Sequence, residues 1–335
     1  MSNRDILAIG TSAGGVDALR FLASELPSDF PASVLVVIHL SAHFESSLDA
    51  ILTQAGPLPA HFAADDMTME PGRIYIGPPD SHMLTDGDKL RLGQGPRENN
   101  SRPAIDPLFR SVALCCAHRG VGAVLTGTLG DGASGLHILH EHGGLTVVQD
   151  PGDAAFSGMP EAALTQFRPD HIASLAGMPA LFRRLVSQPQ GNPITPTSDL
   201  IYEVDLAKGG AGSMSQMDRI GERSLLACPD CHGVMWAIKE GELLRYRCHV
   251  GHAYTAEMMS LALDENLRRA LDSGLRALDE RIALSRKLYK QAENAGRAHL
   301  AESWRRKLVE CEREAEVLRD SIKRFDQLAA HAVQR

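Results

Sequence analysis

Within the first 131 residues stand the three side chains that acyl transfer needs: a hydroxyl, an imidazole and a carboxylate. Ser12 lies in Gly10-Thr11-Ser12-Ala13-Gly14, a G-x-S-x-G pattern between the apolar run Ile6-Leu7-Ala8-Ile9 and the helical pattern Val16, Leu19, Leu22, Leu26. That is the context a nucleophile elbow requires. Glycines on either side let the chain turn sharply beside the hydroxyl, and the helix start that follows offers free N–H groups to developing negative charge. Alone, the pattern also fits a structural turn or a phosphate-cradling loop, although it matches neither G-x-G-x-x-G nor G-x-x-x-x-G-K-[ST]. A serine needs a base. His39 stands at the end of the run Val34–Leu40, and Asp131 follows the run Val121–Gly127. Taken singly, His39 fits a hydrogen-bonded histidine where a strand runs out, and Asp131 fits the N-cap of a helix over Ala133–His142. Together, a serine, a histidine and an aspartate each just past a different strand are candidates for a triad.

A second cluster has metal-ligand spacing. Cys228-Pro229-Asp230-Cys231 and Cys248-His249-Val250-Gly251-His252 are separated by Val234–Ile238, Lys239–Glu242 and Leu243–Arg247, which reads as two knuckles joined by a hairpin. Cys228, Cys231, Cys248 and His252 suit a tetrahedral zinc ion, with His249 or His232 as substitutes for His252. A unit this small has too little core to fold unaided, which gives a structural zinc a purpose. The alternatives are a metal-free hairpin with reduced thiols, or a relic that has lost its metal. Cys115, Cys116 and Cys311 fall in helical patterns and read as packing residues.

The elements that must position these groups alternate. Strand-like runs at 6–9, 34–40, 74–76, 121–125, 145–148 and 172–175 are interleaved with helical stretches at 16–26, 107–118, 133–142, 160–166 and 179–187, and Asp86-Gly87-Asp88 reads as a hairpin turn. Such alternation predicts a doubly wound α/β fold, a mostly parallel sheet with helices on both faces, whose sites lie at the carboxyl ends of the strands. The expected domains are 1–187 catalytic, 188–222 a flexible linker rich in Gln, Pro and Gly, 223–256 a zinc-ribbon-like Cys/His unit, and 257–335 a helical tail. In the tail, apolar positions 300, 304, 308, 311, 315, 318, 322 and 325 step by four and three, and Leu263 to Ile282 repeat the spacing upstream. With a break at Asn294-Ala295-Gly296 this predicts an antiparallel helical hairpin; a single long helix is the alternative.

Charge excludes some partners. The net charge is −8, which argues against nucleic-acid binding. Residues 1–190 hold 12 basic and 20 acidic side chains and the remaining 145 hold 22 of each, a shift that marks a boundary. Val34–Ile38, the longest apolar run, is far short of the ~20 residues that span a bilayer, and the first nine residues lack a signal-peptide pattern. The expectation is a cytoplasmic protein with no membrane insertion and no disulfide framework.

Residues 5–186 resemble the catalytic domain of the CheB family of protein-glutamate methylesterases. The matching segments are Ile9–Gly15, Val36–Leu40, Ile74–Pro78, Arg102–Phe109, Leu125–Ala133 and Gln149-Asp150-Pro151 through Gly158-Met159-Pro160, in the family's order. The resemblance implies Ser12 as nucleophile, His39 as general base, Asp131 as the group orienting the imidazole, and backbone N–H groups near Ala13 and Thr128 as the oxyanion hole. It implies hydrolysis of γ-glutamyl methyl esters on the helical cytoplasmic region of methylated chemoreceptors, with glutamine deamidation as a second activity and no cofactor for catalysis. Departures are Ile38 where the family usually has Gln, Leu40-Ser41 where it has Met-Pro, and Thr128 where it has Met. The motif begins at residue 9, so the amino-terminal receiver domain usual in the family is expected to be absent. The tail is expected to dock on the receptor bundle or a regulator, or to self-associate. The competing reading is a catalytically degenerate scaffold that binds a receptor or signalling partner, and a nucleotide-binding α/β domain is a third.

Overall fold

The computed structural model describes residues 2–40, 46–241 and 243–333, with side chains as far as Gln327. Ser41 and Glu242, both part of the sequence reading, lie outside the described residues. Residue contacts divide the chain into two compact units, Met1–Met259 and Ser260–Arg335.

The first unit is built on a seven-stranded sheet. Its strands are β1 (Ile6–Thr11), β2 (Ser33–Ile38), β3 (Ala60–Phe62) and β4 (Ile74–Ile76), and, after a separate β5–β6 hairpin (His82–Asp86, Lys89–Gly93), β7 (Gly120–Val124), β8 (Leu145–Gln149) and β9 (His171–Ala173). The order is β3-β4-β2-β1-β7-β8-β9, and every pairing is parallel. β1 and β2 are buried along their whole length, as expected of central strands covered on both faces. Alternate residues of β1 enter two different cores. Ile6 and Ala8 pack with α3 (Ile105–Cys116), α4 (Ala133–Glu141) and α5 (Gly158–Gln166); Leu7 and Ile9 pack with α1 (Gly15–Glu25), α2 (Leu48–Ala55) and α6 (Met178–Val186). This is the doubly wound architecture the alternation predicted.

The expected flexible linker over 188–222 is corrected. It contains α7 (Ser198–Lys208) and α8 (Met214–Ile220). Leu200 and Val204 of α7 enter the core that holds Leu108 and Phe109, while Tyr202 and Leu206 pack with Met217, Trp236 and Ile238. With apolar positions on both sides of only three turns, α7 shows no single stripe, and its Gly- and Pro-rich flanks masked it. It is wedged between the α/β sheet layers and a four-stranded antiparallel sheet, β10 (Glu222–Ala227), β11 (Val234–Glu240), β12 (Leu243–Cys248) and β13 (Ala253–Thr255).

The second unit is a helical hairpin. Helix α9 (Ala256–Asn294) begins in the first unit, and α10 (Ala298–Val333) returns after Gly296 at φ 66°. Arg268–Asp326, Asp279–Arg319 and Arg286–Glu312 pair across it, so the helices are antiparallel. Ile282, Cys311 and Ala315 are buried in its seam. Among the described residues no helix is long and apolar enough to cross a membrane.

Gly10 is where the sheet tolerates no side chain: a Cβ there would lie 2.2 Å from Ile105 Cγ2. Gly10→Ala is expected to destabilise the fold by about 1–3 kcal/mol through overpacking. A urea midpoint equal to wild type would show that α3 can shift without cost.

Candidate active site

The strand order reverses between β1 and β7, and in open α/β sheets the crevice beyond the carboxyl ends of such a pair is where ligands bind. Ser12 is the first residue past β1. Its N–H donates to the Thr126 carbonyl at 3.0 Å, Thr11 Oγ1 donates to the same carbonyl at 2.8 Å, and Thr126 Oγ1 donates back to Ala13 O at 3.0 Å. The loops after β1 and β7 are therefore stitched together. Gly14, at φ 75°, starts α1 in the left-handed region that glycine enters without penalty.

The three candidate residues meet. Ser12 Oγ lies 3.1 Å from His39 Nδ1, and His39 Nε2 lies 2.7 Å from Asp131 Oδ2. An ionised carboxylate only accepts, so Nε2 carries the hydrogen and Nδ1 turns its lone pair to the serine hydroxyl. The imidazole is turned the other way round from that of the serine proteases, whose Nε2 faces the serine.

Asp131 is buried, and three further donors define its position. Oδ2 also accepts the Ile105 N–H at 2.7 Å; Oδ1 accepts Asn99 Nδ2 at 2.9 Å and the Asp106 N–H at 3.3 Å. Burial by itself would raise this carboxyl, but the hydrogen bond and charge of His39, the Ile105 N–H and the Asn99 amide outweigh it and hold it at about 2. Asp131 does not cap α4. Gly132, at φ 92°, is the N-cap, and the carboxylate at that helix start belongs to Asp106, whose Oδ1 accepts from Gly132 N at 3.0 Å and Gly135 N at 2.7 Å. Burial and the neighbouring Asp131 charge push Asp106 up to about 7.

Among the described residues, neither the Ala13 nor the Thr128 backbone N–H is committed to an acceptor, so both are free for an oxyanion. Thr128 and Leu129 line a cavity of about 140 Å³ together with His39, Asp131, Ser101 and Met258. Of the described departures from the family pattern, Thr128 faces this cleft, whereas Ile38 and Leu40 pack into the core on the α1 side.

The second cluster also comes together. Sγ of Cys228, Cys231 and Cys248 and a ring nitrogen of His252 all lie within 4.8 Å of one another. His249 and His232 are not among them.

Asn99, Ile105 and Asp106 are the site residues that sequence reasoning missed. Asn99 and Asn100 both adopt positive φ, 49° and 60°, a turn signal that an Asn-Asn pair offers in sequence, but nothing there says what the turn serves. Ile105 and Asp106 were visible only inside the family-like segment Arg102–Phe109, with no role attached.

A family model described as CheB methylesterase matches residues 7–182. The chain belongs to the CheB methylesterase family. A Leptospira interrogans relative is 35% identical over 184 residues, 55% of this chain and 95% of that protein. A protein-glutamate methylesterase/protein-glutamine glutaminase of Maricaulis maris is 39% identical over 185 residues, which covers 54% of this chain but only 46% of that protein. The Thermotoga maritima CheB methylesterase catalytic domain superposes with a TM-score of 0.52 at 28% identity, covering 56% of this chain and all of that one.

The two carboxyls act on stability in opposite directions. Between about pH 4 and 7 the native state keeps a proton on Asp106 that the unfolded chain has released, so this group lowers stability as pH rises. Asp131 is depressed, so its stabilisation is present above about pH 4 and is lost as pH falls toward 2. Urea denaturation at pH 5 and pH 7.5 is expected to show wild type losing stability across that interval while Asp106→Asn loses less; parallel losses would remove Asp106 as the titrating group.

Proposed function

We propose that this CheB-family chain hydrolyses γ-glutamyl methyl esters on the helical cytoplasmic region of chemoreceptor-type signalling proteins through a Ser12–His39–Asp131 triad. The observation that carries the reading is the continuous chain of hydrogen bonds from Ser12 Oγ through both ring nitrogens of His39 to Asp131. His39 Nδ1 takes the hydroxyl proton as Oγ attacks the ester carbonyl. The oxyanion forms against the free N–H groups of Ala13 and Thr128, donors that in other acyl-transfer enzymes contribute about 3–4 kcal/mol each. The imidazolium, steadied by Asp131, returns the proton to the departing methoxide, so methanol leaves and an acyl-enzyme remains. Water activated by the same nitrogen then releases glutamate and frees Ser12. No step needs a cofactor.

A glutamine side chain fits the same sequence with ammonia as leaving group, and the Maricaulis maris relative is named for both activities. Deamidation by the same acyl-enzyme is therefore part of the proposal. The degenerate-scaffold alternative leaves unexplained why Ser12, His39 and Asp131, from three separate loops, form one hydrogen-bonded chain.

Methanol release from radiolabelled, receptor-bearing membranes tests the reading. Ser12→Ala and His39→Ala are expected to lower kcat on the order of 10³-fold or more with the fold intact, and Asp131→Asn by a similar or smaller factor. Wild-type release equal to that of Ser12→Ala would overturn it.

A further inference from the structure

The Cys/His unit lies beyond the family match, which ends at residue 182, yet it touches the residue that holds the Asp131 carboxylate. Its four candidate ligand atoms lie within 4.8 Å of one another, and two of the pairs are close to the spacing a tetrahedral ion imposes. Cys231 Sγ and Cys248 Sγ are 3.6 Å apart, and Cys248 Sγ is 3.4 Å from His252 Nδ1. Zinc–sulfur and zinc–nitrogen bonds of ordinary length at tetrahedral angles put these pairs ~3.8 Å and ~3.6 Å apart. Backbone N–H groups are aimed at the sulfurs: those of Asp230 and Cys231 at Cys228, of Gly233 at Cys231, and of Gly251 at Cys248. The other ring nitrogen of His252 faces Asp230 at 3.7 Å, and Asp230 in turn accepts from Tyr254 at 2.6 Å. A carboxylate behind a histidine is how metal-bound imidazoles are oriented.

β13 starts at Ala253, the residue after His252. Its Ala253 carbonyl accepts the Asn99 N–H at 2.7 Å, and its Thr255 N–H donates to Asn99 Oδ1 at 2.9 Å. The second bond fixes the amide: with Oδ1 committed to an N–H, the NH₂ group must face Asp131 and Asp106, where it donates at 2.9 and 3.2 Å. On the other side of the cluster, Arg247, which precedes Cys248, is buried against Glu98 at 3.0 Å, next to Asn99 in the chain. The residues on either side of the second knuckle, Cys248–His252, therefore hold the Glu98–Asn99 turn.

We propose that a zinc-class divalent cation, bound by Cys228, Cys231, Cys248 and His252, fixes β13 and through Asn99 positions the Asp131 carboxylate. The cation never meets the substrate, and Asn99 is a positioning residue. The kinetic half of this inference rests on the esterase reading above; the metal half does not.

The test uses the full chain. Metal analysis is expected to find one zinc per chain, and none in a Cys228→Ser/Cys231→Ser variant. Stripping wild type with a chelator is expected to lower kcat about ten-fold or more while KM holds, with zinc restoring it. Asn99→Ala should keep its zinc, show a comparable loss of kcat, and lose little more when stripped, because both changes break the same link. That last comparison stays informative where the cysteine variant fails to fold. Absence of zinc from the purified chain, with no uptake on addition, overturns the metal site. Bound zinc with kcat indifferent to stripping, or fully multiplicative losses in Asn99→Ala, overturns the coupling. Failure of the esterase reading shows separately, as zinc-loaded wild type releasing no more methanol than Ser12→Ala.

Discussion

One buried anion organises the site. A carboxylate out of water costs several kcal/mol unless its lone pairs are occupied, and Asp131 has them filled by His39, Ile105 N–H, Asn99 and Asp106 N–H. These four come from the end of β2, the first turn of α3 and the turn before it. Satisfying the charge therefore sets the relative positions of three separate stretches of chain, the end of β2, residues 99–106 and the loop that carries Asp131. The imidazole inherits its orientation from the same requirement, and the serine meets whichever nitrogen is left. Asp106 shows the cost of the arrangement: its carboxyl sits beside a committed anion, and burial with that charge keeps it protonated well above the usual range.

A second buried network carries the arrangement outward. Glu98 and Glu203 are surrounded by Arg110 from α3 and by Arg245 and Arg247 from β12, with Arg245 also on Glu240. Burial would raise Glu203, but Arg245, Arg247 and Arg110 hold it well below the usual carboxylate range. Five side chains this deeply buried are stable as a set and costly to break one at a time. They lock α7 and the β10–β13 sheet onto the α/β layers, so the Cys/His unit is an integral part of the first compact unit and not an appendage on a linker.

What was legible in the sequence follows from which interactions are local. Strands buried on both faces announce themselves as unbroken apolar runs, so β1, β2 and β7 were visible, and with them Ser12, His39 and Asp131 just past their ends. The helical hairpin was visible because its seam repeats at four and three residues over many turns. Asn99 was not, because its role lies in partners 32 and 156 residues away in the chain. Helix α7 was hidden because it is apolar on two opposite sides, and the flip of the His39 ring is a side-chain rotation that no spacing encodes.

The cleft beside the triad draws its walls from two sources. Thr128 and Leu129 come from the loop after β7, inside the family match, while Met258 comes from the first turn of α9, outside it. Thr255, three residues before Met258, both donates its N–H to Asn99 and accepts the Met258 N–H on its hydroxyl at 3.2 Å. The segment bonded to Asn99 thus also holds the residue that lines one side of this cleft. Thr128 from inside the family match and Met258 from outside it line one cleft with His39 and Asp131, so the residues after the Cys/His knuckle shape the surroundings of the hydrogen-bonded side chains as directly as the α/β layers do.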